Sequence, residues 1–279
     1  MRPARAAASW QTAPGRARGS RSVDGMSADA RRRGADAFTR GGGAYERLRP
    51  TYPRAAVAWA LATAPPGRVA DVGAGTGKLT HVLLDLGRDV VALDPSRDML
   101  ARLRASSRGA SRTDLDIRVG RGEQTGLDDA SVSAVVYGQA WHWVDADAAC
   151  EESARILVPG GTLALVWNLM DVDDPATAAC HRAMHVLSEE GREHTDSVAD
   201  VTAAFGRRES RTFRWSRHLT TRELADTVTT RSYYLAADEP DRARLRAAVA
   251  AAVTQHFGPL GEAVIEVPHL TEVHRFIRV

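Results

Sequence analysis

Three closely spaced glycines that follow an aspartate form the most informative pattern in this chain. The run Asp71-Val-Gly73-Ala-Gly75-Thr-Gly77 lies between a short β-rich run and a segment with helical periodicity. Glycine lets the backbone approach a ligand closely, because no Cβ stands in the way. A helix that begins after such a loop points free backbone N–H groups at an anionic part of the ligand. The pattern therefore predicts a loop that binds a nucleotide-like molecule.

The spacing separates this loop from two other glycine-rich loops. Nicotinamide-binding loops follow G-x-G-x-x-G, whereas this one reads G-x-G-x-G. A P-loop needs G-x-x-x-x-G-K-[ST], but Leu79 follows Lys78 here and Val72 stands where the first glycine is required. Asp94 ends the next β-rich run, at the point where an acid would bind a ribose diol.

Alternating strands and helices must position these residues. β-rich runs are predicted over 68–73, 89–94, 115–119, 131–137 and 162–167, and helical patterns over 77–86, 96–105 and 146–157. The connections are long enough to be crossovers, so we expect an α/β fold with a doubly wound, mostly parallel sheet. Strand-like segments over 211–219 and 264–279, the second broken by Pro268, are expected to complete seven strands. A helical insertion over roughly 175–190, 220–236 and 240–256 is expected before the last strands.

Composition limits the class of protein. The chain has 279 residues, of which 44% are hydrophobic and 26% charged, which is typical of a globular protein. The formal net charge is +2, but residues 1–25 hold five arginines and one acid, so the remainder is slightly acidic. An acidic body lacks the basic surface that nucleic acid needs. No stretch is apolar enough for a membrane helix, and two cysteines without CxxC spacing suit a reducing cytoplasm.

The chain is expected to contain one domain behind a leader. Residues 1–27 are predicted to form a disordered leader, with Met26 as an alternative start, and residues 28–279 a single domain. The expected parts of that domain are a lid over 38–60, a cofactor-binding core over 68–168, a helical acceptor insertion plus a strand over 169–260, and terminal strands over 261–279.

Several segments together resemble one known family. The segment VADVGAGTGKLT, followed by VVALDPS and a Met-Leu pair, resembles motif I and the second strand of class I S-adenosylmethionine-dependent methyltransferases. The run Gly120-Arg-Gly122-Glu123 resembles the adenine-side loop of that family, and Leu157-Val-Pro-Gly-Gly161 resembles its turn before the fifth strand. The resemblance covers about residues 38–168 closely. It implies a methyltransferase similar to the small-molecule trans-aconitate and ubiquinone-pathway enzymes, with S-adenosyl-L-methionine as cofactor and a carboxylate or hydroxyl oxygen as acceptor.

The resemblance also implies which residues hold the cofactor. The three glycines of motif I would wrap its methionyl end, Asp71 would orient its amino group, and Asp94 would bind the ribose hydroxyls. Pro95 and Met99 would pack near the adenine, although core packing is an equal alternative for Met99. The adenine-side loop would contribute Gly122 and Glu123, with a solvated carboxylate as the alternative for Glu123.

An aromatic and arginine-rich segment, residues 45–53, precedes the sheet and resembles a lid. Tyr45 could lie over the sulfonium, because an electron-rich ring face suits a cation. Arg49 could pair with the methionyl carboxylate. Ordinary surface packing is the alternative for both residues.

The fourth strand runs into Tyr137-Gly-Gln139-Ala-Trp141-His142-Trp143. Because sites in open α/β sheets lie at the carboxyl ends of strands, this loop is expected to border the methyl group. Gln139 is expected to contact the cofactor, and Trp141 and Trp143 the substrate. His142 is either a general base or a residue with a structural or cofactor-packing role. The run lacks the Asp/Asn-Pro-Pro-aromatic and Pro-Cys motifs of nucleic-acid methyltransferases.

A second acceptor segment is expected in the helical insertion. Arg231, Tyr233 and Tyr234 would suit an acidic or aromatic acceptor, and an ordinary helix with a half-buried tyrosine pair is the alternative. No metal is expected, because His181 and His185 lack an HExxH context.

Four function classes are compatible with these patterns. A small-molecule methyltransferase, as a monomer or homodimer without nucleic-acid or membrane partners, agrees with most of them. The alternatives are a cofactor-holding cyclase or binding protein on the same fold, a nicotinamide oxidoreductase and a nucleic-acid methyltransferase. The glycine spacing argues against a nicotinamide oxidoreductase, and the charge of the residues after the leader argues against a nucleic-acid methyltransferase.

Overall fold

Seven strands form a single sheet in the computed structural model, which describes residues 48–106, 113–187, 201 and 204–279. The strands are β1 (Val69–Val72), β2 (Val90–Asp94), β3 (Leu115–Val119), β4 (Val132–Gly138), β5 (Leu157–Met170), β6 (Glu209–Thr220) and β7 (Val264–Ile277). Their order across the sheet is β3-β2-β1-β4-β5-β7-β6. The leader over 1–27 and Tyr45 lie outside the described residues.

Strand direction follows the predicted pattern. Strands β1 to β5 pair in parallel, whereas β7 lies antiparallel to both β5 and β6. Strands β1 and β2 are buried along their whole length, and this explains why their sequences are nearly continuous apolar runs. The doubly wound, mostly parallel sheet of seven strands is therefore confirmed.

Helices cover both faces of the sheet. They are α1 (Arg54–Ala60), α2 (Lys78–Asp85), α3 (Arg97–Ala105), α4 (Ala146–Ile156), α5 (Pro175–Met184), α6 (Thr221–Asp226), α7 (Ser232–Ala236) and α8 (Glu239–Phe257). Two short 3-10 helices occupy Trp141–Trp143 and Thr227–Thr230. The Ser96 hydroxyl accepts a hydrogen bond from the backbone N–H of Met99, which confirms the predicted N-cap of α3.

Separate groups of buried side chains fill the space on each side of the sheet. One group includes Val72, Leu165 and Trp167, and the group on the opposite face includes Val69, Val136 and Val166. Successive residues of a strand point to opposite faces, so neighbouring strand residues divide between the two groups. A third group joins α5, α6 and α8 to β7.

Strands β5 and β7 run through positions that the sequence marks as breaks. The expected turn Val158–Gly161 lies inside β5, because Leu157 pairs with Val132 and Thr162 with Ala134 across a register shift. This irregularity absorbs the Pro-Gly-Gly run without ending the strand.

Pro268 does not interrupt β7 either. It pairs with Ser216 of β6, and its carbonyl accepts a hydrogen bond from the N–H of Asp171 on the opposite side. The ring nitrogen cannot donate back towards Asp171, and the β5–β7 pairing accordingly ends one pair earlier, at Met170 and His269.

The helical insertion is divided. Helix α5 precedes β6, whereas α6, α7 and α8 lie between β6 and β7. The single helix expected over 220–236 is instead α6, a 3-10 turn and α7 in succession. Strand β6 therefore separates the two parts of the insertion.

Candidate functional site

The glycine loop connects β1 to α2 through left-handed backbone. The φ angles of Gly73, Gly75 and Gly77 are 74°, 55° and 93°, in the region that L side chains disfavour. A Cβ on Gly73 would overlap Ala140, and one on Gly77 would overlap Leu103. A Cβ on Gly75 would meet no atom within 4 Å. The loop therefore leaves open space at its centre, where a ligand can lie against the backbone.

Asp94 fastens this loop to the carboxyl end of β2. Its carboxylate accepts hydrogen bonds from the N–H of Gly75 at 2.9 Å and the N–H of Ser96 at 2.7 Å. The side chain is 8% exposed, and burial raises its pKa while the two N–H donors oppose the rise. Each oxygen keeps a lone pair for a further donor, so the carboxylate can also accept hydroxyl groups from a ligand.

Asp71 lies behind the loop. It is 1% exposed, and the Thr80 hydroxyl of α2 donates to its Oδ2 at 2.6 Å. Burial raises the pKa of Asp71 to about 7, against the lowering effect of Thr80. Its Oδ1 has no hydrogen-bond partner among the described residues. Asp71 joins β1 to α2, and its expected contact with an amino group stays a prediction.

The adenine-side candidates differ in exposure. Pro95 is exposed, whereas the Met99 side chain is buried. Gly122 is buried, and a Cβ there would lie 2.8 Å from Val144 and 3.0 Å from the Tyr137 hydroxyl. Packing therefore explains why this position holds a glycine.

Glu123 is engaged within the protein. Its carboxylate accepts a hydrogen bond from the N–H of Asp145 at 2.9 Å, next to the start of α4. The carboxylate fastens the adenine-side loop to the end of the β4 loop. An adenine contact for Glu123 stays a prediction.

Gln139 adopts an unusual backbone conformation at the end of β4. Its φ is 55°, one of two positive values among the described non-glycine residues. Its N–H donates to the Val166 carbonyl at 2.9 Å, and its side-chain amide donates to the Asn168 carbonyl at 2.6 Å. Such strained backbone occurs preferentially at functional sites, and here it joins the carboxyl ends of β4 and β5.

The aromatic run after Gln139 divides between core and surface. Trp141 is 1% exposed and packs edge-on against Tyr137, with ring centroids 4.9 Å apart. The Trp141 ring therefore belongs to the core, and its expected substrate contact stays a prediction. His142 and Trp143 are half-buried, with ring centroids 4.7 Å apart.

A pocket lies where the carboxyl ends of β4 and β5 meet the helical insertion. The described residues that line it are Arg49, Pro50, Gln139, Asn168, Leu169, Met170, Met184, Arg217, Leu224, Thr227, Arg231 and His269. Three of these are arginines and none is an acid. His142 and Trp143 are not among these lining residues, so their predicted roles gain no support from the pocket.

Two predicted arginines reach this pocket, whereas the predicted tyrosines do not line it. Arg49 donates to the carbonyl of Thr230 at 2.8 Å, and Arg231 also lines the pocket. The half-buried Tyr233 packs against His185, with ring centroids 5.5 Å apart.

Tyr234 is directed away from the pocket. It is buried in the third hydrophobic group, and its hydroxyl accepts a hydrogen bond from Arg246 of α8. The tyrosine therefore secures α7 against α8, and its expected substrate contact stays a prediction.

Asn168, Arg217 and His269 are among the pocket-wall residues that the sequence interpretation missed. Asn168 donates to the Thr51 carbonyl at 3.0 Å and accepts from the Thr271 hydroxyl at 2.6 Å. Burial lowers the pKa of Arg217 to about 10 and that of His269 to about 4, so the histidine is neutral at pH 7. Asn168 follows a predicted strand and was detectable by the strand-end rule.

The fold and the site define a class of protein. A parallel sheet with a glycine loop after its first strand and an acid after its second is the arrangement of nucleotide-dependent α/β enzymes. Residues 70–165 match the family model described as a methyltransferase domain. The chain is 41% identical over 196 residues to an uncharacterized methyltransferase of Mycobacterium tuberculosis, covering 70% of this chain and 76% of the relative. The chain belongs to the class I S-adenosylmethionine-dependent methyltransferase family.

Two further comparisons agree with this assignment. Malonyl-[acyl-carrier protein] O-methyltransferase of Methylococcus capsulatus is 37% identical over 103 residues, which are 36% of this chain and 37% of that protein. A solved structure from Anaeromyxobacter dehalogenans, named provisionally as a type II methyltransferase, superposes with a TM-score of 0.66 and 24% identity. It covers 81% of this chain and 97% of its own, and it supports the fold alone.

The described residues contain neither a membrane-spanning helix nor a metal cluster. None of the helices in this part of the chain has the length and apolar character needed to cross a membrane. In the same residues, no group of three or more His, Cys, Asp or Glu side chains could hold a metal ion.

Proposed function

We propose that this chain transfers a methyl group from S-adenosylmethionine to an oxygen of a small acidic molecule. The observation that carries the proposal is the position of two features at the same edge of the sheet. The glycine loop with Asp94 lies at the carboxyl ends of β1 and β2, and the arginine-lined pocket lies at those of β4 and β5. In a parallel sheet these ends share one edge, so a cofactor and an acceptor can meet there.

The residues of the loop fit this cofactor. S-adenosylmethionine supplies an electrophilic methyl group on a sulfonium. Gly75 leaves space for it, and Asp94 retains lone pairs that can accept the two ribose hydroxyls. Arg49, at the wall of the pocket, is the candidate to hold the methionyl carboxylate. Tyr45 retains its proposed place over the sulfonium, although it lies outside the described residues.

The pocket favours a carboxylate over a hydroxyl acceptor. A carboxylate is already nucleophilic, so the chain has only to position it against the methyl carbon. A hydroxyl needs a base near neutral pKa, and burial lowers the pKa of His269 to about 4. The name of the Methylococcus relative states O-methylation of a malonyl group, which supports an oxygen acceptor here.

Calorimetry with S-adenosylhomocysteine and NAD tests cofactor binding. We expect micromolar binding of the first ligand and none of the second. Asp94→Asn should weaken binding at least tenfold, because one carboxylate oxygen becomes an amide donor. Asp98→Asn is the matched control, since Asp98 is an exposed acid on α3 close in sequence.

Three results would count against the proposal. A folded wild-type protein that binds no S-adenosylhomocysteine would overturn the cofactor assignment. Equal weakening in the Asp94 and Asp98 variants would show that general charge, and not the ribose contact, determines affinity. If the cofactor binds but no acid is ever methylated, a cofactor-holding protein becomes the better interpretation.

A further inference from the structure

Arg217 and Arg231 form a positive pair inside the pocket. Arg217 lies on β6 and donates to the Leu48 carbonyl at 2.9 Å, and Arg231 immediately precedes α7. The Nε of Arg231 is buried and has no hydrogen-bond partner in the described part of the chain. Burial lowers the pKa of Arg217, and the positive charge of Arg231 adds to that lowering. Both arginines line the same pocket, so their positive charges share one partly buried space.

Neither arginine forms an ion pair with Glu223 or Asp171, the acids that act on this part of the pocket, among the described residues. Glu223 opposes the lowering of the Arg217 pKa, but its carboxylate accepts hydrogen bonds from the N–H and the hydroxyl of Thr220 at the start of α6. Asp171, next to the pocket, is paired with Arg214. Two partly buried like charges without a dedicated acid are costly unless an anion balances them.

The chemistry of the transfer decides what this anion can be. When a carboxylate oxygen bonds to the methyl carbon, the sulfur–carbon bond breaks and its electron pair stays on sulfur. The products are an uncharged methyl ester and S-adenosylhomocysteine, and no proton moves. An arginine that gripped both oxygens of that carboxylate would occupy the nucleophile and then lose its ion pair on esterification. A guanidinium pair is better suited to a group that stays charged.

We propose that Arg217 and Arg231 bind a second anionic group of the acceptor, which is a small acid with at least two carboxylates. One carboxylate is methylated near Gln139, and the other remains on the arginine pair throughout. The inference rests on the proposed function and assigns to the acceptor a residue, Arg217, that no sequence motif marks. Arg49 is left for the methionyl carboxylate.

A graded series of acids tests the proposal by calorimetry. Acetate, succinate, citrate and inorganic phosphate are titrated into the full chain, with and without saturating S-adenosylhomocysteine. We expect succinate and citrate to bind at least tenfold more tightly than acetate or phosphate. Arg217→Gln and Arg231→Gln should each weaken succinate binding at least tenfold and leave the affinity for S-adenosylhomocysteine unchanged.

Control variants separate the pocket from general charge. Arg222 is exposed on α6 and lies close in sequence to Arg217, so Arg222→Gln should change succinate affinity less than twofold. Arg217→Lys keeps the charge but loses the planar fork, so it should bind succinate with intermediate affinity. If Arg217→Gln fails to fold, the succinate affinity of Arg217→Lys still tests the role of Arg217.

Several outcomes would overturn the inference. If succinate binds no more tightly than acetate, the acceptor needs no second carboxylate and the inference is wrong. Equal losses of succinate affinity in the Arg222 and Arg217 variants would contradict it in the same way. Tighter binding of phosphate would assign the pair to a phosphorylated molecule, and loss of S-adenosylhomocysteine affinity in Arg217→Gln would assign it to the cofactor. Failure of the wild type to bind S-adenosylhomocysteine would overturn the proposed function instead. The two failures can be distinguished, because the titrations without that ligand still measure acid binding at Arg217 and Arg231.

Discussion

Gly75 and Gly87 share a left-handed backbone and differ in their surroundings. Their φ angles are 55° and 77°, and a Cβ on either would meet no atom within 4 Å. Alanine at each position should therefore cost about 1 kcal/mol of unfolding free energy through backbone strain alone. Only Gly75→Ala should weaken S-adenosylhomocysteine binding, by at least tenfold, because its methyl group enters the space in the loop.

Urea denaturation and calorimetry on both variants measure these effects. Gly87→Ala, between α2 and β2, serves as the matched control. Equal S-adenosylhomocysteine affinity in the two variants would contradict the placement of the ligand against Gly75.

Asp71 should make stability depend on pH in an unusual direction. Its folded pKa is raised from 3.8 to about 7 by burial, so between these values the folded state holds a proton that the unfolded state has released. The contribution of Asp71 to the free energy of unfolding should therefore fall as pH rises from about 4 to 7, by up to about 1.4 kcal/mol per pH unit. Asp71→Asn removes this contribution.

Denaturation of wild type and Asp71→Asn across this pH range measures the effect. Burial lowers the pKa values of His269 and His274 to about 4, so both histidines add stability as pH rises from about 4 to 6.5. They are present in both proteins and cancel in the difference. Parallel pH profiles would show that Asp71 is ionised in the folded state at pH 5.

At the scale of single elements, the sequence predicted which strands and helices exist better than it predicted where each begins and ends. The bounds of β3 were predicted correctly, and the N-cap of α3 was recognised from Ser96. Strand β5 was predicted to start at Thr162 because Pro-Gly-Gly is a local turn signal. The structure overrides that signal, since pairing of Leu157 with Val132 extends the strand. Local chemistry cannot show whether a neighbouring strand continues alongside.

Helix α6 depends on one reciprocal cap. The Thr220 hydroxyl accepts from the N–H of Glu223, and the Glu223 carboxylate accepts from the N–H of Thr220. Thr220→Ala should lower the free energy of unfolding by about 1 kcal/mol and weaken succinate binding, because α6 carries Leu224 in the pocket wall.

Thr220→Ser retains the hydroxyl and serves as the control. It should match the wild type in denaturation and in the succinate titration, and S-adenosylhomocysteine affinity should be unchanged in both variants. Equal destabilisation by serine and alanine would indicate that the threonine methyl group, and not the cap, supports α6.

At the scale of the whole molecule, the cofactor side was predictable and the acceptor side largely was not. Asp94 lies close in sequence to the glycine loop, and strand–loop–helix order was sufficient to place it. Arg217 and His269 come from β6 and β7, and they reach the pocket only because β7 inserts between β5 and β6. Composition and residue spacing do not predict that strand order.

The direction in which side chains point was the other feature of the site that the sequence could not predict. Trp141 and Tyr234 were expected at the acceptor because of where they lie along the chain. In the structure, Trp141 packs in the core against Tyr137, and Tyr234 contacts Arg246 of α8. Which side of a short helix faces a pocket depends on packing between distant elements, and a five-residue helix such as α7 is too short for periodicity to reveal it.

The most direct test of the account is a crystal structure of the full chain with S-adenosylhomocysteine and succinate. The account predicts the ribose on Asp94, the amino-acid portion along the loop with Gly75, and the sulfur facing the pocket. One succinate carboxylate should lie between Arg217 and Arg231. S-adenosylhomocysteine bound away from the loop, or with its sulfur directed away from the pocket, would contradict the central claim that cofactor and acceptor meet at this edge of the sheet.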